Sequence, residues 1–138
     1  MNKRLVLLRI VLVMSIVLFV YWCIKPINMM NLNPSEIGEI SIFDGNTGTA
    51  VHITKEKDIG HIITNLNSIV LKRGKVSLFR MGYSLRTTIY LKNGAEVKGW
   101  HTFIINDSSL IRKDPFFYKV MEGKIDYEYI QNIVDAAQ

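Results

Sequence analysis

The sequence predicts an α+β protein in which an N-terminal transmembrane helix precedes a two-layer domain, an antiparallel sheet with two helices on one face. Three observations predict this class. The run 5–24 is apolar except at Arg9 and Ser15. Short β-rich runs separated by turn residues follow it, which is typical of consecutive antiparallel strands. Two further segments carry apolar residues at every third or fourth position, which indicates helices buried on one side.

The N-terminal run has the length of a membrane-spanning helix. A bilayer core of about 30 Å takes about 20 helical residues, and the run 5–24 has that length. Lys3, Arg4 and Arg9 lie at its start, whereas only Lys25 follows closely. The positive-inside rule therefore predicts a single-pass protein of the cell membrane with a cytoplasmic N-terminus and an extracellular C-terminal domain. Residues 1–25 are then the cytoplasmic tip and signal anchor, and membrane lipid is the partner of residues 5–24.

Three other interpretations of this run are a cleaved signal peptide, a lipoprotein signal ending at Cys23, and a buried helix of a soluble protein. Signal peptidases require small side chains before the cut, and residues 19–26 offer none. Tyr21 and Trp22 are bulky where a lipobox has small residues. These residues favour an uncleaved anchor. Cys23 is the only cysteine, so no internal disulfide is expected.

The charge of the chain is concentrated around the anchor. The net charge is +5, but four of the 17 basic residues lie within or beside the apolar run, which leaves 13 basic and 12 acidic residues from residue 26 onward. A nucleic-acid partner is therefore not expected. The segment 26–34 is rich in Asn and Pro and predicts a tether. Residues 35–138 are predicted to form one extracytoplasmic domain of about 100 residues.

The domain is predicted to begin with two strands and a helix. The runs 37–43 and 49–53 alternate in polarity and flank the turn residues 44–48, so they predict a hairpin. From 55 to 69 the apolar spacing changes to three and four, with Thr54 as the expected N-cap. The buried stripe of this helix is Ile59, Ile62, Ile63, Leu66 and Ile69.

Four or five strands and a second helix are expected next. The segment 71–81 is interpreted as an edge strand or an exposed loop, and 86–91, 95–105, 110–112 and 116–121 as strands. A three-residue loop with Gly94 in the left-handed region would pair Leu91 with Ala95 and place Tyr90 opposite Glu96, which sorts the apolar side chains to one face.

The last element is a helix that begins after Asp126. Asp126 is the expected N-cap, and Ile125 and Ile130 stand at the two positions of a hydrophobic staple.

Five cations lie within fifteen positions of the chain and form the candidate contact surface: Lys72, Arg73, Lys75, Arg80 and Arg86. They are mixed with Phe79, Met81 and Tyr83. One interpretation is a solvated edge strand protected from aggregation by its charge. The other is a surface that contacts something anionic outside the cell: lipid headgroups, a wall polymer or an acidic patch on a protein partner. Trp100, Phe116, Phe117 and Tyr118 would add apolar contacts or pack in the core.

The sequence predicts no catalytic residues, no metal site and no cofactor. His52, His61 and His101 fall on different predicted elements, and none is paired at helical metal-site spacing. His101 with Asp107 and Ser108 resembles a fragment of a catalytic triad, so the alternative function is a small extracytoplasmic hydrolase or transferase centred on His101. Convergence of these three side chains in one pocket would favour the enzyme, and their dispersal would favour a binding domain.

The strand and turn pattern of the domain resembles small membrane-anchored or secreted domains of unknown function from Gram-positive bacteria. The residues that carry this resemblance are Ile40-Ser41-Ile42-Phe43, Thr47-Gly48, Lys57-Asp58-Ile59, Leu66-Asn67-Ser68-Ile69, Gly82-Tyr83, Ile89-Tyr90-Leu91-Lys92-Asn93-Gly94, Tyr118-Lys119-Val120 and Ile125-Asp126-Tyr127. The resemblance implies an extracytoplasmic α+β domain and carries no activity or site residue with it.

The leading functional hypothesis is a non-enzymatic, single-pass anchored domain that binds a partner or ligand. Its contact surface would be the sheet face that the helices leave uncovered or the basic segment between Lys72 and Arg86. A third hypothesis is a regulatory or protective membrane protein whose span contacts another membrane protein, although 5–24 shows no small-xxx-small spacing.

Overall fold

An apolar helix leads into an eight-stranded antiparallel sheet in the structure, a computed structural model that describes residues 2–82 and 84–137. Met1, Tyr83 and Gln138 belong to predicted segments but lie outside the described residues. The helices are α1 (Lys3–Ile24), α2 (Glu56–Asn67) and α3 (Tyr127–Ala136). The strands are β1 (Ile27–Asn28), β2 (Ile37–Asp44), β3 (Thr49–Ile53), β4 (Val70–Val76), β5 (Leu85–Leu91), β6 (Thr102–Ile105), β7 (Leu110–Lys113) and β8 (Phe116–Glu122). The predicted α+β class is confirmed.

The strand order explains why β4 is not a simple edge. The sheet runs β1-β4-β8-β7-β6-β5-β2-β3, and every neighbouring pair is antiparallel. β4 pairs with β8 on one side, while the two-residue β1 covers only its first two residues on the other. The predicted segment 71–81 therefore divides into a mostly paired strand and an exposed loop. Three strands separate β4 from β5, so residues 77–82 belong to a connection that crosses the sheet.

A single core lies between the sheet and the two domain helices. Ile59, Ile62, Ile63 and Leu66 of α2 are buried, as are Ile130 and Val134 of α3. They join Ile40, Ile42, Leu85, Ile89, Phe103 and Ile105 from alternate positions of the strands. Alternate residues of a strand point to opposite faces. The two helices therefore cover one face of the sheet and leave the other uncovered, as a two-layer arrangement requires.

The two domain helices are joined by side-chain contacts at their adjacent ends. The ring of His61 stacks on that of Tyr129 at 3.9 Å between centroids, and its Nε2 lies 2.8 Å from Asp126 Oδ2. The Tyr129 hydroxyl donates to Asp58 Oδ1 at 2.7 Å. This hydrogen bond is the main reason that the pKa of Tyr129 is raised. His61 therefore joins α2 to α3.

Turn chemistry gives the predicted register after β5. Gly94 has φ of 82°, and its N–H donates to the Leu91 carbonyl, while the Leu91 N–H donates to Ala95. Tyr90 forms a bridge with Glu96, as predicted.

The prediction of one continuous strand over 95–105 is wrong for its central residues. The N–H of Val97 bonds to the carbonyl of Ile89, and the Ile89 N–H bonds to the carbonyl of His101, so residues 98–100 bulge out of the ladder.

The ends of the two domain helices differ in how well they follow the prediction. Asp126 is the N-cap of α3 and its carboxylate accepts from the Tyr129 N–H, which confirms the prediction. The prediction of Thr54 as the N-cap of α2 is wrong. α2 begins one residue later, after Lys55, which makes no side-chain capping bond. Because Glu56 and Asp58 lie in the first turn, their charges stabilise this end in place of a cap.

The segment predicted as a tether packs against the domain. Met29 and Met30 are buried, and the Met29 N–H donates to the Ile69 carbonyl at 2.9 Å. The Asn67 side chain pairs with both backbone groups of Leu32, accepting from its N–H at 3.0 Å and donating to its carbonyl at 2.7 Å. These contacts fix the path of the chain from α1 into the domain.

Candidate functional site: the uncovered face of the sheet

The open face is the sheet surface opposite the helices, and its central row can be derived from the strand register. Residues that pair across strands share a face. Arg86 pairs with Phe43 and Ile104, Ile104 pairs with Arg112, and Arg112 pairs with Phe117. Because these residues alternate with the buried Leu85, Ile105 and Ile111, they point away from the core. Two arginines and three apolar side chains therefore form one row.

A like-charged pair lies beside this row. Lys72 on β4 stands directly opposite Lys119 on β8, and both side chains are exposed. Like charges that face each other across neighbouring strands destabilise a sheet. Lys72, Lys119, Arg86 and Arg112 place four cations on the open face, while Glu39 and Glu96 lie on the same face beside Tyr90. The positive charge is therefore concentrated on the β4 and β8 side of the face.

The crossing loop, residues 77–82, passes over this face. Arg112 Nη1 donates to the carbonyl of Arg80 at 2.8 Å, which holds the loop above β7. Between the loop and the sheet lies a cavity of about 680 Å³, and its lining includes Arg80, Arg86, His101 and Arg112. Its lining also holds Lys113 and Asp114, so the positive charges outnumber the one carboxylate. A positively charged concave surface favours anionic ligands.

Arg112 shares its charge with a carboxylate at the loop base. Its Nε lies 2.9 Å from Asp114 Oδ1, and the Ser77 hydroxyl donates to the same oxygen at 2.5 Å. The hydrogen bond from Arg112 and then that from Ser77 lower the pKa of Asp114. Asp114 therefore stays ionised at neutral pH. Arg112 binds both this carboxylate and the backbone of the crossing loop, and it also lies on the open face.

The five predicted contact residues do not lie in one patch. Lys72 and Arg86 are on the open face, Arg80 is in the crossing loop, and Lys75 is exposed near a register shift of β4. Arg73 points to the opposite side. Its Nη1 donates to the Trp22 carbonyl at 2.8 Å, and its guanidinium carbon lies 3.8 Å from the Trp22 ring centroid. Arg73 thus fixes the end of α1 to the sheet.

An aromatic cluster surrounds this junction between α1 and the domain. The Trp22 ring lies 6.0 Å from that of Phe116, and the Trp100 ring lies 5.2 Å from that of Tyr118. Lys113 Nζ is 4.9 Å from the Trp100 ring centroid, and burial lowers the pKa of this amine. Three of the aromatic residues considered for ligand contact therefore pack inward, and Phe117 alone of the four is on the open face.

The alternative triad is dispersed. His101 lines the cavity under the crossing loop, whereas Asp107 and Ser108 line a different cavity of about 340 Å³ at the start of α3. The Asp107 carboxylate accepts from Ser109, and His101 Nε2 lies 4.0 Å from Glu96. Among residues 2–82 and 84–137, no group of three or more His, Cys, Asp or Glu side chains is placed to hold a metal ion.

Sequence reasoning missed Arg112 and Lys119 because they lie far along the chain from the basic segment. A signal was present: each follows a residue that faces the core, Ile111 and Tyr118, so strand alternation alone turns both cations outward. Their proximity to Lys72 and Arg86 depends on strand order, which local patterns do not give.

Comparisons with protein-family models, curated proteins and solved structures find no match to this chain. A function for this chain is therefore inferred from its fold and its open face.

Proposed function

We propose that the chain is a non-enzymatic, single-pass membrane protein whose extracytoplasmic domain binds an anionic surface through the open face of its sheet. The anchor is supported by α1, which has 22 residues and no buried residue and contains an 18-residue stretch with a mean hydropathy of 2.6. Signal sequences near an N-terminus share these features, and it is the bulky Tyr21 and Trp22 near the end of the span that support retention. Lys3, Arg4 and Arg9 support a cytoplasmic N-terminus.

The opposed pair of Lys72 and Lys119 is the single observation that carries the binding proposal. Such a pair destabilises the unbound sheet, by roughly 0.2 to 1 kcal/mol for typical cross-strand pairs. An anionic ligand lying over both amines removes the repulsion and gains their attraction. Arg86 and Arg80 extend the same surface toward the cavity. The part of the open face around Lys72 and Lys119 therefore has the charge that suits an extended anionic partner.

Replacing Lys119 by Glu is expected to move stability and binding in opposite directions. The Lys119→Glu change places a carboxylate opposite Lys72, so the free energy of unfolding should rise by a few tenths of a kcal/mol to about 1 kcal/mol. Binding of fluorescein-labelled polyphosphate should weaken by about 1 to 2 kcal/mol, or about five- to thirtyfold, at low ionic strength. Fluorescence anisotropy with the full chain in zwitterionic nanodiscs measures the binding.

Lys124→Glu is the matched control because it makes the same change of net charge at an exposed residue next to α3. It should reduce polyphosphate binding much less than Lys119→Glu does. Equal effects of the two variants, or unchanged binding of Lys119→Glu at low salt, would mean that the open face does not bind anions.

A further inference from the structure

The crossing loop exposes apolar side chains to an unusual degree. Phe79 is 99% exposed and Met81 is 98% exposed, and Leu78 beside them is half exposed. Scattered exposed apolar residues are normal in soluble proteins. Here three exposed apolar side chains lie within four residues at the tip of one loop, and exposed apolar patches mark interaction surfaces.

The base of the loop is held firmly, so the tip is presented outward. Ser77 is completely buried, and its N–H donates to the Pro115 carbonyl at 2.8 Å while its hydroxyl binds Asp114. Arg112 holds the Arg80 carbonyl from below. Phe79 adopts φ of 63°, in the left-handed region that is uncommon for residues other than glycine. The backbone thus turns at Phe79 above a fixed base.

The loop begins at the end of the sheet where α1 arrives. β1 runs antiparallel to β4, so the chain comes from α1 along β4 in the reverse direction. Trp22 contacts Phe116, and Phe116 pairs with Val76, the residue immediately before the loop. A membrane anchor whose last turn contains Trp22 therefore places this end of the domain next to the bilayer.

We infer that the crossing loop is a second membrane contact, in which Leu78, Phe79 and Met81 enter the interfacial region of the leaflet where α1 ends. This inference rests on the proposed anchor and takes the bilayer as the surface that the tip of the crossing loop meets. Apolar side chains favour the boundary between headgroups and acyl chains, and Arg80 and Lys75 can reach anionic headgroups from there. The domain then lies against the membrane in a fixed orientation.

A fluorescent probe on the loop tests this inference in the full chain. Phe79→Cys in a Cys23→Ser background, labelled with the environment-sensitive dye NBD, is reconstituted in liposomes containing phosphatidylglycerol. Because Phe79 is nearly fully exposed, the label leaves the fold intact. Its emission should shift to the blue, and lipids with a shallow spin label should quench it at least about twofold more than they quench the matched control. The control is Thr64→Cys, an exposed position on α2.

The outcomes separate the loop from the anchor. Labelled native Cys23 reports on α1, so shallow lipid quenching at Cys23 without quenching at position 79 would overturn the loop contact and leave the anchor standing. Absence of quenching at both positions would overturn both. A blue shift at position 79 that lipid quenchers do not affect would assign the tip to a protein surface and would overturn the membrane contact.

Discussion

Replacing both Leu12 and Val13 by Arg is expected to release the protein from the membrane. Each arginine near the centre of a spanning helix costs about 2.5 to 3.5 kcal/mol on insertion scales, and the favourable contribution of the replaced residue is also lost. The total of roughly 6 to 8 kcal/mol exceeds what the remaining apolar residues of α1 can offset. Both side chains are exposed and distant from the domain, so its fold should be unaffected. Carbonate extraction of membranes from expressing cells measures the effect.

The matched control exchanges the same two positions for other apolar residues, Leu12→Ile with Val13→Leu. This variant should stay in the carbonate-resistant pellet with the unmodified protein, while the double arginine variant should be soluble or degraded. Retention of the double arginine variant in the pellet would show that α1 is not what holds the protein to the membrane.

The Phe103→Ala substitution is expected to destabilise the domain by about 3 to 5 kcal/mol. Phe103 is 1% exposed, and its ring meets that of Trp100 edge to face at 5.9 Å. Its removal leaves a cavity beneath the helices at a central strand. Because small domains have a total stability of about 5 to 15 kcal/mol, a large part of the protein would unfold under mild conditions. Urea titration followed by far-ultraviolet circular dichroism measures the change.

Phe79→Ala supplies the comparison, since it removes the same ring from a side chain that is 99% exposed. Its free energy of unfolding should stay within about 0.5 kcal/mol of that of the unmodified protein. Similar losses at both positions would contradict the assignment of Phe103 to the core and Phe79 to the surface.

Local patterns were sufficient where neighbours in sequence decide the structure. The hairpin after β2, the turn at Gly94 and the Asp126 cap depend on residues within a few positions of each other, and all are observed. The buried side of α2 was also predicted correctly, because apolar residues spaced three and four apart lie on one side of a helix.

The features that could not be predicted depend on which strands pair with each other. The placement of β4 beside β8 turns residues 77–82 into a crossing loop, and no local feature of Ser77 or Arg80 indicates that Arg112 will lie beneath them. The bulge at residues 98–100 was also missed, because apolar and polar residues alternate on both sides of it as they would in one continuous strand. Arg73 shows the same limit, because a cation in a basic segment is bound to Trp22, 51 positions earlier.

The topology of the full chain in right-side-out membrane vesicles tests the central claim most directly. Protease added outside should remove the domain, and mass spectrometry of the untreated protein should find α1 still attached, because we expect an uncleaved anchor with the domain on the outer side. A mature chain that begins after Tyr21, or a domain that stays intact until the vesicles are lysed, would contradict this account.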